Sequence, residues 1–224
     1  MKKHLLAILI GALILSSITL VKGEIAVNVN VGESLFVTYE FRNLDQLVYD
    51  QAQLNATKLP QIIANNMKKD SQTVLWGSAA LDQNATSRTI RNSFYLGGTA
   101  ILSSSVNQTT LKRVYEIRTD WRKFKVNLTD RFHIDFASAL TTPVAEWQKT
   151  DTTTFYYENT NTGTMDVLFY LSLPSSATGI RVEGDTVFYE APPLLEDKIL
   201  GTPFIILIAL AVILLIILLY RKAR

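Results

Sequence analysis

Histidine, the commonest general base, occurs outside the N-terminal segment 1–23 only as His133. A Ser-His-Asp arrangement would need His133 as its base, with Asp130 or Asp135 to orient the ring. No Gly-x-Ser-x-Gly motif accompanies it. Strand alternation over residues 131–136 places His133 on one face with Arg131 and Asp135, and three apolar residues on the other. This pattern favours a solvated strand face over a hydrolase site.

Metal and cofactor chemistry has few candidate residues. The chain has no cysteine and two histidines, which excludes thiol nucleophiles and the usual zinc sites. Glu183 and Asp185 carry oxygen ligands that suit calcium, but they lack the spaced ligands of a calcium loop and fit a turn better. No phosphate-binding loop or dinucleotide fingerprint occurs. We therefore expect no metal, no cofactor and no enzymatic activity.

The densest unusual segment is 112–131, with seven Lys and Arg residues around Trp121 and Phe124. Its apolar alternation changes phase near residues 120–123, which predicts a turn or bulge with Trp121 and Arg122 at a loop tip. Trp and Arg often anchor protein interfaces, and basic side chains also contact anionic headgroups. The competing interpretation is an exposed basic strand face with a core Trp. The candidate partner-contact residues are Arg118, Trp121, Arg122, Lys123 and Lys125.

Four Asn-x-Thr sequons lie in the central segment, at Asn55, Asn84, Asn107 and Asn127. Exposed sequons outside the cytoplasm accept N-linked glycans. Four is a mild excess over chance in a chain rich in Asn, Ser and Thr, so coincidence is the alternative. Sequons without cysteine suit a prokaryotic, archaeal-like glycoprotein.

Strand patterns dominate residues 24–190. Residues 25–31 and 35–41 alternate on either side of a Gly-containing turn and predict two antiparallel strands. Strand-like runs return after residue 73, with hairpin loops at 159–163 and 183–185. Residues 44–69 have helical spacing, which Pro60 should divide. The expected fold is α+β and mostly β, an antiparallel sheet or sandwich-like domain with a helical insertion.

Residues 1–23 have the form of a signal peptide. Lys2 and Lys3 precede an apolar block at 5–21, and Val21 and Gly23 suit the −3 and −1 positions for cleavage before Glu24. Because the apolar block is long, an uncleaved N-terminal anchor is the alternative. Both forms send the following segment out of the cytoplasm.

Residues 199–220 form a charge-free run of 22 residues. As a helix they would extend about 33 Å at ~1.5 Å per residue, enough to cross a hydrocarbon core of ~30 Å. The basic tail at 221–224 follows at once and, by the positive-inside rule, stays cytoplasmic. Residues 191–198 form a short linker stiffened by two prolines. The sequence predicts a single-pass membrane protein with its domain outside.

The central segment is acidic. Six of the 22 basic residues flank the apolar ends, which leaves 16 against 20 acidic residues and a net charge of about −4. We therefore expect no nucleic-acid partner. The expected function is a cell-surface protein that contacts membrane lipid and binds another envelope protein or an extracellular ligand. An accessory subunit of a membrane transport or secretion complex is the alternative, and a hydrolase built on His133 is a third hypothesis.

Overall fold

The structure, a computed structural model, describes residues 23–50, 58–67, 75–127, 133–160, 165–192 and 208–214. Within them the chain is mostly β, with mixed and antiparallel sheets and few short helices. The strands are β1 (Gly23–Val31), β2 (Leu35–Arg42), β3 (Leu75–Asn84), β4 (Thr89–Gly97), β5 (Leu102–Val106), β6 (Arg113–Arg118), β7 (Lys125–Asn127), β8 (His133–Asp135), β9 (Gln148–Lys149), β10 (Thr154–Asn159), β11 (Met165–Ser172), β12 (Thr178–Glu183) and β13 (Thr186–Ala191).

The helical insertion predicted at 44–69 is confirmed where the structure describes it. Residues 46–50 are helical, and α1 (Leu59–Met67) follows. Pro60 lies in the first turn of α1, where a backbone N–H would have no intrahelical acceptor. The missing N–H of proline therefore removes no hydrogen bond from the helix. Residues 51–57 and 68–69 lie outside the described residues. The other helical elements are α2 (Phe136–Ala139) and the 3-10 helices Asp120–Arg122 and Val144–Glu146.

The largest sheet has seven strands in the order β3-β4-β2-β1-β11-β10-β9. The β1–β2 and β10–β11 hairpins are antiparallel, as predicted. The pair β1–β11 is parallel, with Gly23 opposite Met165, so the expectation of an antiparallel sheet is wrong at this pair. The physical reason is that β1 pairs with a strand far along the chain, and such a crossover leaves no local signal.

Side-chain alternation decides which face of this sheet is buried. One cross-strand row runs from Phe94 through Val37, Val29 and Leu171 to Phe155. All five side chains are buried. The sheet therefore presents one continuous apolar face to the core.

Two smaller sheets complete the β structure. β12-β13-β6-β5 is antiparallel throughout, and β7 pairs with β8. Buried side chains from all three sheets form one hydrophobic cluster. The ring of Tyr39 in β2 lies 6.0 Å from that of Phe124 and 5.6 Å from that of Phe136. Phe124 and Phe136 thus pack on the apolar face of the large sheet.

The predicted membrane segments lie largely outside the described residues. Of 1–23 only Gly23 is described, and of 199–220 only 208–214, which is helical with exposed side chains. Among the described residues, no helix is both long and apolar enough to cross a membrane. The linker beyond Pro192 and the tail at 221–224 are likewise not described.

Candidate functional site

Trp121 and Arg122 are buried, so the expectation that they form an exposed loop tip is wrong. They lie in the 3-10 helix Asp120–Arg122, with 1% and 0% of their surface exposed. The strand is interrupted where the phase change predicts it. The turn points inward because Trp121 packs 6.1 Å from the ring of Phe169 and Arg122 has a counterion in the core.

Arg122 joins three separate segments of the chain. Its Nη2 donates to Oδ1 of Asp185 at 2.7 Å and to the carbonyl of Thr142 at 3.1 Å. Its Nη1 donates to Oγ1 of Thr119 at 2.6 Å. Lys123 adds a second cation, with Nζ 2.5 Å from Oδ2 of Asp185. A buried cation is tolerated only when it is paired and hydrogen-bonded, so these contacts explain how Arg122 stays in the core.

Asp185 reaches Arg122 because its turn is tied down on both sides. It occupies a two-residue turn between β12 and β13, where Gly184 has φ 58°, a conformation that favours glycine. The backbone N–H and Oγ1 of Thr119 both donate to the carbonyl of Asp185, at 3.1 and 2.6 Å. The N–H of Val144 donates to Oδ1 of Asp185 at 3.3 Å. The turn is therefore part of the packed structure.

The carboxyl of Asp185 is held ionised by its surroundings. Burial alone would raise its pKa, but hydrogen bonds from Lys123 and Arg122, together with their charges, hold the pKa below its ordinary value. Both carboxylate oxygens are occupied by these cations. Asp185 thus serves as a structural counterion.

Two exposed basic residues of the 112–131 segment are paired with carboxylates. The side chain of Arg118 is 40% exposed, with Nε 3.2 Å from Oε1 of Glu116. Lys125 is 73% exposed, with Nζ 2.6 Å from Oδ2 of Asp135. Lys123 turns inward to its counterion. A role in partner contact for the five candidate residues, Arg118, Trp121, Arg122, Lys123 and Lys125, stays a prediction.

His133 lies on a solvated strand face, as its pattern predicts. It is exposed in β8, whereas the neighbouring Ile134 is buried. Asp135 caps α2 by accepting the N–H of Ser138 at 3.0 Å and also pairs with Lys125. In the described parts of the chain, no three His, Cys, Asp or Glu side chains are grouped so as to hold a metal ion.

Two sequons lie on exposed turns. Asn84 ends β3 and Asn107 follows β5, and all residues of both sequons are exposed. Oδ1 of Asn84 accepts the backbone N–H of Ser87 at 3.0 Å. Oδ1 of Asn107 accepts the backbone N–H of Thr109 at 2.9 Å. Asn55 and the side chain of Asn127 lie outside what the structure describes.

A groove with a volume of about 540 Å³ opens at one edge of the seven-stranded sheet. Its size falls in the range of ligand-binding sites. Its described lining holds two carboxylates and no Lys or Arg. The main lining residues, called the edge groove below, are Glu146, Trp147, Gln148, Tyr156, Tyr157 and Glu158.

The floor of the edge groove depends on the buried arginine. Trp147 is 6% exposed, and its ring stacks on Tyr157 at 5.5 Å and 19°. The guanidinium of Arg122 lies 5.1 Å from the Trp147 ring centroid. Nε1 of Trp147 donates at 3.0 Å to the Thr142 carbonyl, which Arg122 also binds. Arg122 is therefore a positioning residue for this floor.

The rim of the edge groove is acidic. The hydroxyl of Tyr156 donates to Oε2 of Glu158 at 2.5 Å, and the Tyr156 ring lies 4.9 Å from that of Tyr170. Burial raises the pKa of Tyr156, and so do the hydrogen bond to Glu158 and the nearby charges of Glu158 and Glu24. The rim thus favours positive charge.

An exposed apolar patch occupies the opposite edge of the same sheet. Leu75 and Trp76 of β3 are 63% and 47% exposed, and Tyr95 of β4 is 48% exposed. The ring of Phe36 lies 5.1 Å from that of Tyr95. Exposed apolar clusters often mark protein or membrane contacts.

Sequence reasoning missed the edge groove. Residues 155–157 are recognisable only as a strand, and nothing local links them to Glu146 or Trp147. The available signal is the pair Tyr156-Tyr157 followed by Glu158, an aromatic and acidic cluster that a plain core strand does not need.

Comparison with known protein families, with curated proteins and with solved structures found no match. The proposed function therefore rests on the residues of this chain.

Proposed function

We propose that this chain is a single-pass membrane-anchored surface protein whose extracytoplasmic domain, residues 24–190, binds another envelope protein or an extracellular ligand without catalysing a reaction. The observation that carries the proposal is the edge groove, a concave site of about 540 Å³ on a β-rich domain.

The features of the groove support binding. Its floor is held by stacked rings and by the hydrogen bonds of Arg122 and Trp147, so little ordering remains to be done when a partner binds. None of the described lining residues is a histidine or a serine that would act as a base or nucleophile. His133, the best catalytic candidate in the sequence, does not line it.

The location outside the cytoplasm rests on the two apolar ends. A signal-like segment at 1–23 and a charge-free run at 199–220 with a basic tail support an outward-facing central domain. Because the linker at 191–198 is short, the domain would lie close to the bilayer and bind partners in or near the same membrane.

The apolar patch of Leu75, Trp76 and Tyr95 favours the alternative, an accessory subunit of a membrane transport or secretion complex. Such subunits stay bound through apolar surface, whereas a surface receptor uses a site like the edge groove. The two functions therefore predict partners at opposite edges of one sheet.

Site-specific photo-crosslinking in intact membranes separates the two. A photo-reactive amino acid is placed in the full chain at Gln148, beside the groove, or at Leu75, in the apolar patch of β3. Both positions are exposed and lie on the two edge strands of the sheet.

A discrete crosslinked product from Gln148 that is missing from Leu75 supports the proposed function. A product from Leu75 alone supports the accessory subunit. Identical products at both positions, or none at Gln148, contradict binding at the edge groove.

A further inference from the structure

The pairing of β9 with β10 at the edge groove stops before β10 ends. Among the described residues, β9 pairs only with Phe155 and Tyr156 of β10. The chain before Gln148 leaves the sheet as the 3-10 helix Val144–Glu146. The space beside Glu158 is therefore the groove itself.

The backbone of Glu158 faces this space. The N–H of Thr150 donates to the carbonyl of Thr154 at 3.1 Å, so Thr154 directs its backbone groups toward β9. The N–H of Leu173 donates to the carbonyl of Thr153 at 3.0 Å, so Thr153 faces β11. Because backbone direction alternates along a strand, Glu158 shares the orientation of Thr154. Its N–H and C=O point into the groove, where a further strand would continue the line of β9.

The aromatic rings in the groove are already engaged. Trp147 is almost fully buried and contacts both Tyr157 and the guanidinium of Arg122, and Tyr156 packs on Tyr170. Trp147 therefore has little surface left for stacking on a sugar or a base. The features left for recognition are the strand edge and the carboxylates of Glu146 and Glu158.

We propose that the edge groove binds an extended segment of a partner protein with Lys or Arg at alternating positions, which adds as a strand beside β10 at Glu158. This inference rests on the proposed function and names the partner chemistry. Backbone hydrogen bonds supply affinity in strand addition, and side-chain pockets supply selectivity. A strand directs every second side chain to one side, so alternating cations would meet both carboxylates of the rim.

The test uses the full chain in detergent micelles and a fluorescently labelled hexapeptide, acetyl-Lys-Val-Lys-Val-Lys-Val-amide. Three comparison peptides replace Lys by Glu, replace Lys by Thr, or carry N-methyl groups on alternate backbone amides. Binding is measured by fluorescence anisotropy against the wild type and the double variant Glu146→Gln/Glu158→Gln. The matched control is Glu33→Gln/Asp82→Asn, which removes two exposed carboxylates elsewhere.

The expected result is that the Lys peptide binds and the Glu and N-methyl peptides do not. The groove variant should bind the Lys peptide roughly tenfold more weakly, as loss of two partly exposed ion pairs implies, and the control should match the wild type. Unchanged binding to the groove variant, or equal binding of the Thr or N-methyl peptide, overturns the proposal. So does absence of Lys-peptide binding, whereas a crosslinked product at Gln148 in that case would preserve the proposed function.

Discussion

Nη2 of Arg122 lies 2.7 Å from Oδ1 of Asp185, although the two residues are 63 positions apart and the arginine has no exposed surface. This ion pair ties the β12–β13 turn to the 3-10 helix after β6. Through the Thr142 carbonyl and the ring of Trp147 it also supports the floor of the edge groove. The stability of the domain and the shape of the edge groove therefore share one contact.

We expect Asp185→Asn to lower the free energy of unfolding by about 3 kcal/mol, since it leaves a buried cation without its counterion. Denaturant unfolding of the full chain in detergent, followed by Trp fluorescence, measures the loss. Asp82→Asn, at an exposed carboxylate 3.9 Å from Arg91, should change stability by less than ~0.5 kcal/mol. Equal effects of the two variants would show that the ion pair does not stabilise the fold.

The contribution of Asp185 should depend on pH. Its pKa is depressed in the folded state, so its stabilising effect is present above the unfolded pKa of ~3.9 and is lost as the pH falls through the lower folded value. The stability difference between wild type and Asp185→Asn should therefore be largest near pH 7 and shrink below about pH 4. The pH dependence of the wild type alone also contains a contribution from Glu40, whose pKa is lowered by Arg42. The comparison with Asp185→Asn isolates the contribution of Asp185. A difference that stays constant down to pH 2 would contradict the assignment.

We expect Tyr39→Phe to leave the protein as stable as the wild type or to stabilise it by about 1 kcal/mol. The hydroxyl of Tyr39 is buried without a hydrogen-bond partner among the described residues, and burial raises its pKa. Tyr95→Phe, at a half-exposed ring, is the control and should have little effect. Destabilisation by more than ~1 kcal/mol in Tyr39→Phe would mean that the hydroxyl is hydrogen-bonded in solution.

The strand content could be predicted because most strands have one buried face. The alternation at 25–31 and 35–41 matches β1 and β2, and the Gly184 turn matches the β12–β13 hairpin. β3 extends beyond the predicted strand run at 74–76, because residues 77–84 carry little apolar alternation and are held by pairing with β4. Tertiary pairing overrides weak local preference there.

The candidate site could not be predicted to the same degree. The phase change at 120–123 marks a real break in strand structure, but a charged side chain is expected at the surface. Arg122 can be buried because it is paired with Asp185, which is distant in the sequence. The pairing of β6 with β13 brings Asp185 close to Arg122. The edge groove likewise exists only because β9 ends after two residues, which no local pattern indicates.

Of the two described sequons, Asn107 allows the sharper test of glycan acceptance. The full chain is translated with rough microsomes, and glycans are detected by an endoglycosidase-sensitive change in gel mobility. Thr109→Ala removes the sequon hydroxyl and should abolish the glycan at Asn107, whereas Thr110→Ala at the next exposed residue should retain it. A glycan that persists in Thr109→Ala, or is missing from the wild type, would refute Asn107 as an acceptor.

The orientation of the chain in the membrane decides whether the edge groove can meet any partner outside the cell. A membrane-impermeant amine reagent is added to intact cells, and mass spectrometry of the protein shows which lysines it has modified. The two lysines compared are Lys125 in β7, whose side chain is 73% exposed, and Lys222 in the basic tail. We predict that Lys125 is modified on intact cells and Lys222 only after permeabilisation. Modification of Lys222 on intact cells, or protection of Lys125 until the cells are opened, would contradict an outward-facing domain.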